Sequence, residues 1–146
     1  MSEPAKPHTV VDTVGQASYR RWNPSLRSKT VQDPNCLFCR IVAGEIPADI
    51  VHETERTISF RDIAPKAPVH VLVIPRDHVA SLGAAGDDHG PLLGELMLAA
   101  RDVAAKEGLS DSGFRTVLNT GADGGQEVMH VHAHVLGGRS LTWPPG

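Results

Sequence analysis

The chain has 146 residues, 40% of them apolar and 21% charged, the make-up of one folded globular domain. A formal net charge of −3 argues against a nucleic-acid polymer as partner, which would call for a basic face, although one phosphate needs only a few local donors. No apolar run approaches the ~20 residues that cross a bilayer, and MSEPAKPHTVVDTVGQ lacks a basic-then-apolar leader, so a cytoplasmic location with no membrane partner is expected.

Residues 1–34 are polar, are broken by Pro4, Pro7, Pro24 and Pro34, and show no sustained periodicity. They are expected to form a flexible or loosely docked extension, in which Arg20, Arg21, Trp22 and Arg27 make either a small contact patch or a solvated tail. The folded domain is expected over 35–146. Leu37, Phe38, Ile41 and Val42 recur at helical spacing, and Gly44 suits the stop. Ile50–His52 and Thr57–Arg61 read as short strands around a polar turn. VHVLVIP, Val69 to Pro75, is rich in β-branched residues and reads as a central strand closed by proline.

A short helix is predicted to follow His78, with a longer one over roughly Asp88–Lys106. Asp87 and Asp88 suit the start of the longer helix, Pro91 its first turn and Gly108 its end. Leu92, Leu96, Ala100 and Val103 mark its apolar stripe, widened by Leu93, Met97 and Ala104. Phe114–Asn119 and Val128–Leu136 read as strands on either side of the glycine-rich turn NTGADGGQ. His52 and His89 fall in surface turns and His8 in the tail, and none of the three is given a role. The expected class is α+β, with an antiparallel sheet of about five strands and one long helix.

His130, His132 and His134 alternate with Val131, Ala133 and Val135. In a strand this lines three imidazoles along one side of the sheet and packs the aliphatic residues on the other. Metal ligation, acid–base chemistry and nucleophilic attack all suit such a row. HVHAHVLGG resembles the signature of the histidine triad (HIT) superfamily, and of its nucleotide-binding HINT branch more closely. CLFCRIVAGEIPA, FRDIAPKAPVHVLVIPRDH, NTGADGGQEVMHVHAHVLGGR and the terminal WPPG carry the resemblance over about Cys36 to Gly146.

The resemblance implies a HIT fold whose sheets join across a homodimer, binding of purine nucleoside monophosphate-type molecules, and hydrolysis of nucleoside phosphoramidates or related adenylates. It makes His132 the nucleophile that forms a nucleotidyl-histidine, with His134 and His70 positioning the phosphate or stabilising its charge. A neutral imidazole, with its reference pKa of ~6.5, suits nucleophilic work near pH 7. The alternatives are a dinucleoside polyphosphate hydrolase or phosphorylase, and a non-catalytic nucleotide-responsive adaptor.

Gly121, Gly124 and Gly125 permit backbone conformations with exposed amides that can cradle a phosphate, or serve only a tight turn. By family match Asn119, Gln126, Glu127 and Val128 join Gly125 around the phosphate or leaving group. Glu127 stands where animal members of the branch carry serine. Asp62 either caps a turn before Pro65 or accepts hydrogen bonds from ribose hydroxyls, the role the resemblance implies. Phe60, Ile63, Phe38, Ile41 and Leu72 line the base pocket in that reading.

Cys36 and Cys39 are spaced C-x-x-C and are too few for a tetrahedral metal site alone. His78 and His130 complete a Cys2His2 set, as in bacterial relatives carrying this segment, so structural zinc and no organic cofactor are expected; a pair of buried thiols is the alternative. In the HINT branch the terminal tail reaches the partner's active site, which makes Trp143 a contact in trans.

Overall fold

The computed structural model describes residues 31–146, together with two short strands ahead of them, β1 (Thr9–Val11) and β2 (Ala17–Tyr19). These two pair antiparallel, Thr9 opposite Tyr19, within a separate compact unit that ends at Thr30. No periodicity announces this ladder. The contact patch expected at Arg20, Arg21, Trp22 and Arg27 lies outside the described residues.

The second unit starts at Val31, ahead of the expected residue 35, because backbone bonds tie the lead-in to the domain. The Val31 N–H donates to Asp77 Oδ1 at 3.1 Å, the Val31 carbonyl accepts from the His78 N–H at 2.6 Å, and the Asp33 N–H points at Cys39 Sγ at 3.4 Å. Helix α1 (Leu37–Val42) follows. Cys36 caps it, its sulfur accepting from the Cys39 N–H at 3.4 Å, and Gly44 ends it at φ +79°.

Five strands form one antiparallel sheet: β3 (Ile50–Glu53), β4 (Thr57–Arg61), β5 (Val69–Pro75), β6 (Phe114–Val117) and β7 (Ala133–Gly137), in the order β3-β4-β5-β7-β6. β5 is central and buried from His70 to Pro75, as its β-branched run predicts. Alternation then sorts side chains to two faces. Ile58, Phe60, Leu72 and Ile74 pack on one face with Phe38, Cys36 and Cys39. Val71, Val73, Ala133 and Val135 pack on the other, beneath α2 (Gly90–Lys106). Each fully buried Val or Leu here contributes about 1.5–3 kcal/mol by leaving water.

In α2 the stripe Leu92, Leu96, Ala100 and Val103 is buried as expected. Met97 does not join it and is 40% exposed; it lies about 100° around the helix from Leu96. Ala99, one turn on from Leu96, takes the inner position. The helix expected after His78 does not form. Residues 79–86 are irregular with a turn at 82–84, and a 3-10 turn at Asp87–His89 leads into α2. The carbonyls a helix would need are committed elsewhere: Val79 O accepts from the Val131 N–H and Ala80 O from Gln126 Nε2. His52 is not in a surface turn. It stands in β3 opposite Ser59, under α2, with Nε2 4.0 Å from Asp102 Oδ2, and burial lowers its pKa.

The last strand begins at Ala133, not Val128. Its pairing with β5 stops at Val73 opposite Ala133, and with β6 at Val117 opposite His134. Beyond that, β5 closes at Pro75, which has no N–H to offer. The chain before Ala133 therefore swings off the ladder, and the Val131 N–H turns to Val79 O at 2.6 Å.

Candidate active site and metal centre

The alternation of the three histidines survives although only His134 belongs to the strand. Their rings share one face with Phe38, which packs edge-on against His130 and His132 at 5.9 and 5.2 Å between centroids. The His132 and His134 rings lie 5.0 Å apart. Val131, Ala133 and Val135 are buried on the far side.

Neighbouring acceptors assign a different task to each ring. His132 is buried, and its Nδ1 lies 2.7 Å from the His130 carbonyl. A carbonyl only accepts, so Nδ1 carries the proton and the Nε2 lone pair is left free. Among the described residues nothing hydrogen-bonds that Nε2. His130 is fixed in the opposite sense: its Nε2–H donates to Pro75 O at 2.8 Å and its Nδ1 lone pair faces the cysteines. Burial, the largest cause, lowers its pKa to about 4, so the ring is neutral.

His70 and His134 form a relay. The Lys66 N–H donates to His70 Nδ1 at 3.0 Å, placing the His70 proton on Nε2, which stands 2.9 Å from His134 Nδ1. His134 in turn carries its proton on Nε2, a buried atom with no partner. Burial, then the neighbouring His132 and His70, push His134 down to about 4; burial also lowers His70, against the opposing charge of Asp62. The relay is thus neutral near pH 7 and ends in an unspent donor beside the His132 lone pair.

Asp62 fills the turn-capping role: its Oδ1 accepts from the Ala64 N–H at 2.8 Å while Oδ2 faces His70 Nε2 at 3.5 Å. Phe60 and Leu72 are buried beneath the site and Ile63 is fully exposed beside it. Asn119 and Val128 are half-buried, and Gly125 (φ +79°) and Glu127 are exposed around the glycine-rich turn. Gln126 departs from the phosphate-facing role expected of it. It is buried, and its carboxamide is spent on backbone: Oε1 accepts from the Gly121 N–H, and Nε2 donates to Ala80 O and Val128 O. Trp143 is 81% exposed, and its tail is held by Arg115 Nη2 donating to Thr142 O at 2.8 Å.

Cys36, Cys39, His78 and His130 converge as one group that can hold a metal ion. His130 Nδ1 lies 3.5 Å from each sulfur and 3.3 Å from His78 Nδ1, and Cys39 Sγ lies 3.4 Å from His78 Nδ1. Without a cation, burial pushes the Cys39 thiol up to about 11. The backbone N–H groups of Asp33 and Cys39 aimed at the two sulfurs favour the charged form a metal needs.

The parts invisible to sequence reasoning are mostly backbone: the Lys66 N–H and the carbonyls of Pro75, Ala80 and His130. Arg115, on the tail, carries no motif that marks it, and Phe38, expected in the base pocket, gives no sign in the sequence of its edge-on packing against His130 and His132.

Comparison with known proteins agrees with this geometry. Residues 43–141 match the family model for the HIT domain. An uncharacterised HIT-like protein from Synechococcus elongatus is 56% identical over 110 residues, 75% of this chain and 96% of that protein. The crystal structure of a HIT family hydrolase from Legionella pneumophila superposes with a TM-score of 0.75 at 51% identity, over 77% of this chain and all of the other. A histidine triad nucleotide-binding protein from Candida albicans gives 0.65 at 34% identity, over 75% of this chain and 83% of its own.

Proposed function

The chain belongs to the HIT domain family and has its fold, and from that premise we propose that it hydrolyses purine nucleoside 5′-phosphoramidates and related adenylates through a nucleotidyl-His132 intermediate. One observation carries this reading. The His130 carbonyl holds the proton of His132 on Nδ1, so that Nε2 offers a lone pair next to the unspent Nε2–H of His134.

In the first step the His132 Nε2 lone pair attacks the α-phosphorus, the P–N bond breaks with its electron pair on nitrogen, and the amine takes up a proton from solvent as it leaves. In the second, a water oxygen attacks phosphorus and gives up a proton to solvent, the P–Nε2 bond breaks with its electron pair returning to His132, and the monophosphate departs. The His134 Nε2–H donates to a non-bridging phosphate oxygen, and His70 and Lys66 hold that ring in the donor tautomer. Asp62 and Ile63 take the nucleoside end, Asp62 through its Oδ2. Glu127, exposed at the mouth of the turn, tunes the leaving group.

Zinc fits the Cys2His2 group. A tetrahedron with Zn–N of ~2.0–2.1 Å and Zn–S of ~2.3 Å has N···N edges of about 3.3 Å and N···S edges of about 3.5 Å, close to the observed separations. All four positions would be filled by protein, so a bound zinc would pin α1 to the approach of β7 and supply no chemistry to the reaction. A homodimer is supported by the edge strand β6, with Phe114 42% exposed, and by Met97 and Leu98 at 40% and 50% on α2. In this reading Trp143, exposed on its tail, contacts the leaving group at the partner's site.

Incubation with adenosine 5′-phosphoramidate tests the reading. The wild-type protein releases AMP, and His132→Gly is slower by about 10³-fold or more. Faster turnover of a dinucleoside polyphosphate than of the phosphoramidate overturns the substrate assignment, and equal rates in the two proteins overturn the nucleophile.

A further inference from the structure

The stretch that aims His132 lies off the sheet. Strand pairing holds β7 only from Ala133 onward, yet the carbonyl that sets the His132 tautomer belongs to His130. Other bonds must therefore fix that carbonyl. The Val131 N–H donates to Val79 O at 2.6 Å, and the His130 N–H donates to Val128 O at 2.9 Å. Both Val128 and the loop at Val79–Ala80 are gripped by one buried side chain. Gln126 Nε2 donates to Ala80 O at 2.7 Å and to Val128 O at 3.0 Å, while its Oε1 accepts from the Gly121 N–H at 3.1 Å. Both N–H groups of the carboxamide and its oxygen are thus engaged, at 7% exposure, leaving little for a ligand to take up.

We infer that Gln126 is a positioning residue: its carboxamide joins the glycine-rich turn, the 79–86 loop and the approach to His130 into one unit, and thereby holds the His130 carbonyl that selects the tautomer and direction of His132. The inference deepens the phosphoramidase reading and rests on His132 being its nucleophile. Glutamine suits the task because it supplies two donors to two carbonyls and one acceptor to an amide. A carboxylate reverses the match at both carbonyls, and an aliphatic side chain leaves all three backbone groups unpaired. Loss of the clamp misaims the lone pair, and a displacement near 1 Å at a reacting group costs about 10²-fold in rate.

Gln126→Met fills the same space and removes the bonds. The expected result is a kcat lowered about 10- to 100-fold on adenosine 5′-phosphoramidate, with KM within about threefold of wild type. Nitrogen-15 spectra of the His132 ring at neutral pH are expected to show one Nδ1–H tautomer in the wild type and a mixture in the variant. Circular dichroism and zinc content confirm that the variant is folded, and Gln126→Asn, which keeps the chemistry at shorter reach, takes its place where Met does not fold. A rise in KM alone with the tautomer intact makes Gln126 a substrate contact and overturns the inference, as does an unchanged kcat and spectrum. The ring spectrum reads the inference even if the wild type turns over no phosphoramidate, so the two readings fail separately.

Discussion

His70 Nε2 and His134 Nδ1 stand 2.9 Å apart on a diagonal between β5 and β7, with Leu136 opposite His70 and Leu72 opposite His134. Two lone pairs cannot face each other at that distance, so one proton lies between the rings. The Lys66 N–H on His70 Nδ1 decides that the proton comes from His70. One amide of the 62–68 loop thereby sets which nitrogen of a ring on another strand is a donor.

Removing either end of this relay has separable effects. His134→Ala deletes the donor itself and is expected to lower kcat by about 10²- to 10³-fold. His70→Ala leaves the His134 ring in place but frees its tautomer, and should cost less, about 10-fold. Steady-state kinetics on adenosine 5′-phosphoramidate reads both, and equal losses would show that His70 touches substrate directly.

Stability should depend on His134 in a defined pH window. Its folded pKa is about 4 and its unfolded value ~6.5, so between these the unfolded chain binds the extra proton. The contribution is complete above pH ~6.5 and is lost as pH falls toward 4. Urea unfolding of His134→Asn should therefore show a shallower loss of stability with acid than wild type, and parallel curves from pH 4 to 7 would contradict the assignment.

The metal centre gives a third expectation. Cys36→Ser or Cys39→Ser should abolish stoichiometric zinc, measured by elemental analysis of the purified protein. Where zinc saturates the wild type about 1,000-fold above its Kd, the loss is about 4 kcal/mol of stability, visible as a lower Tm. Addition of a strong chelator to wild type should lower Tm in the same direction. A metal-free protein with unchanged Tm removes the claim.

Gly124 is the glycine of the turn least able to accept a side chain. A Cβ there would run into the Thr120 carbonyl oxygen, and it would stand 2.9 Å from the Thr120 nitrogen, both of them backbone. Gly124→Ala should cost about 1–3 kcal/mol and displace the loop that Gln126 clamps. A thermal melt within 1 °C of wild type would argue against the collision.

Trp143 offers the converse case. At 81% exposure its removal should leave Tm unchanged while altering the ratio of kcat/KM between a bulky and a small leaving amine. An unchanged ratio would place the tail outside the selection of substrates.

Much of the architecture is written in periodicity. The β-branched run of β5, the Leu92–Leu96–Ala100–Val103 stripe and the His alternation each point to the face they occupy, because burial on a sheet or helix repeats with fixed period. What periodicity cannot show is where neighbours run out. His130 and His132 look like strand residues, yet Pro75 closes the partner strand and the ladder stops before them. His52 looks like a turn residue and is covered by a helix some fifty positions away. Gln126 resembles a phosphate ligand until its three backbone partners, two of them distant in the chain or beyond a turn, are seen together. The Cys36–Cys39 half-site is legible from its C-x-x-C spacing, whereas His78 and His130 join it in the sequence only through the family resemblance, because nothing local links residues so far apart.

His130 is anchored at three points: one ring nitrogen among the thiols, the other on Pro75, and its own carbonyl against the next histidine. A swap that preserves ligand count, such as cysteine, would still surrender the anchor to Pro75. The fold therefore offers no conservative replacement at this position, and tolerance to mutation should fall to its lowest there even though the ring faces the thiols and not the free nitrogen of His132.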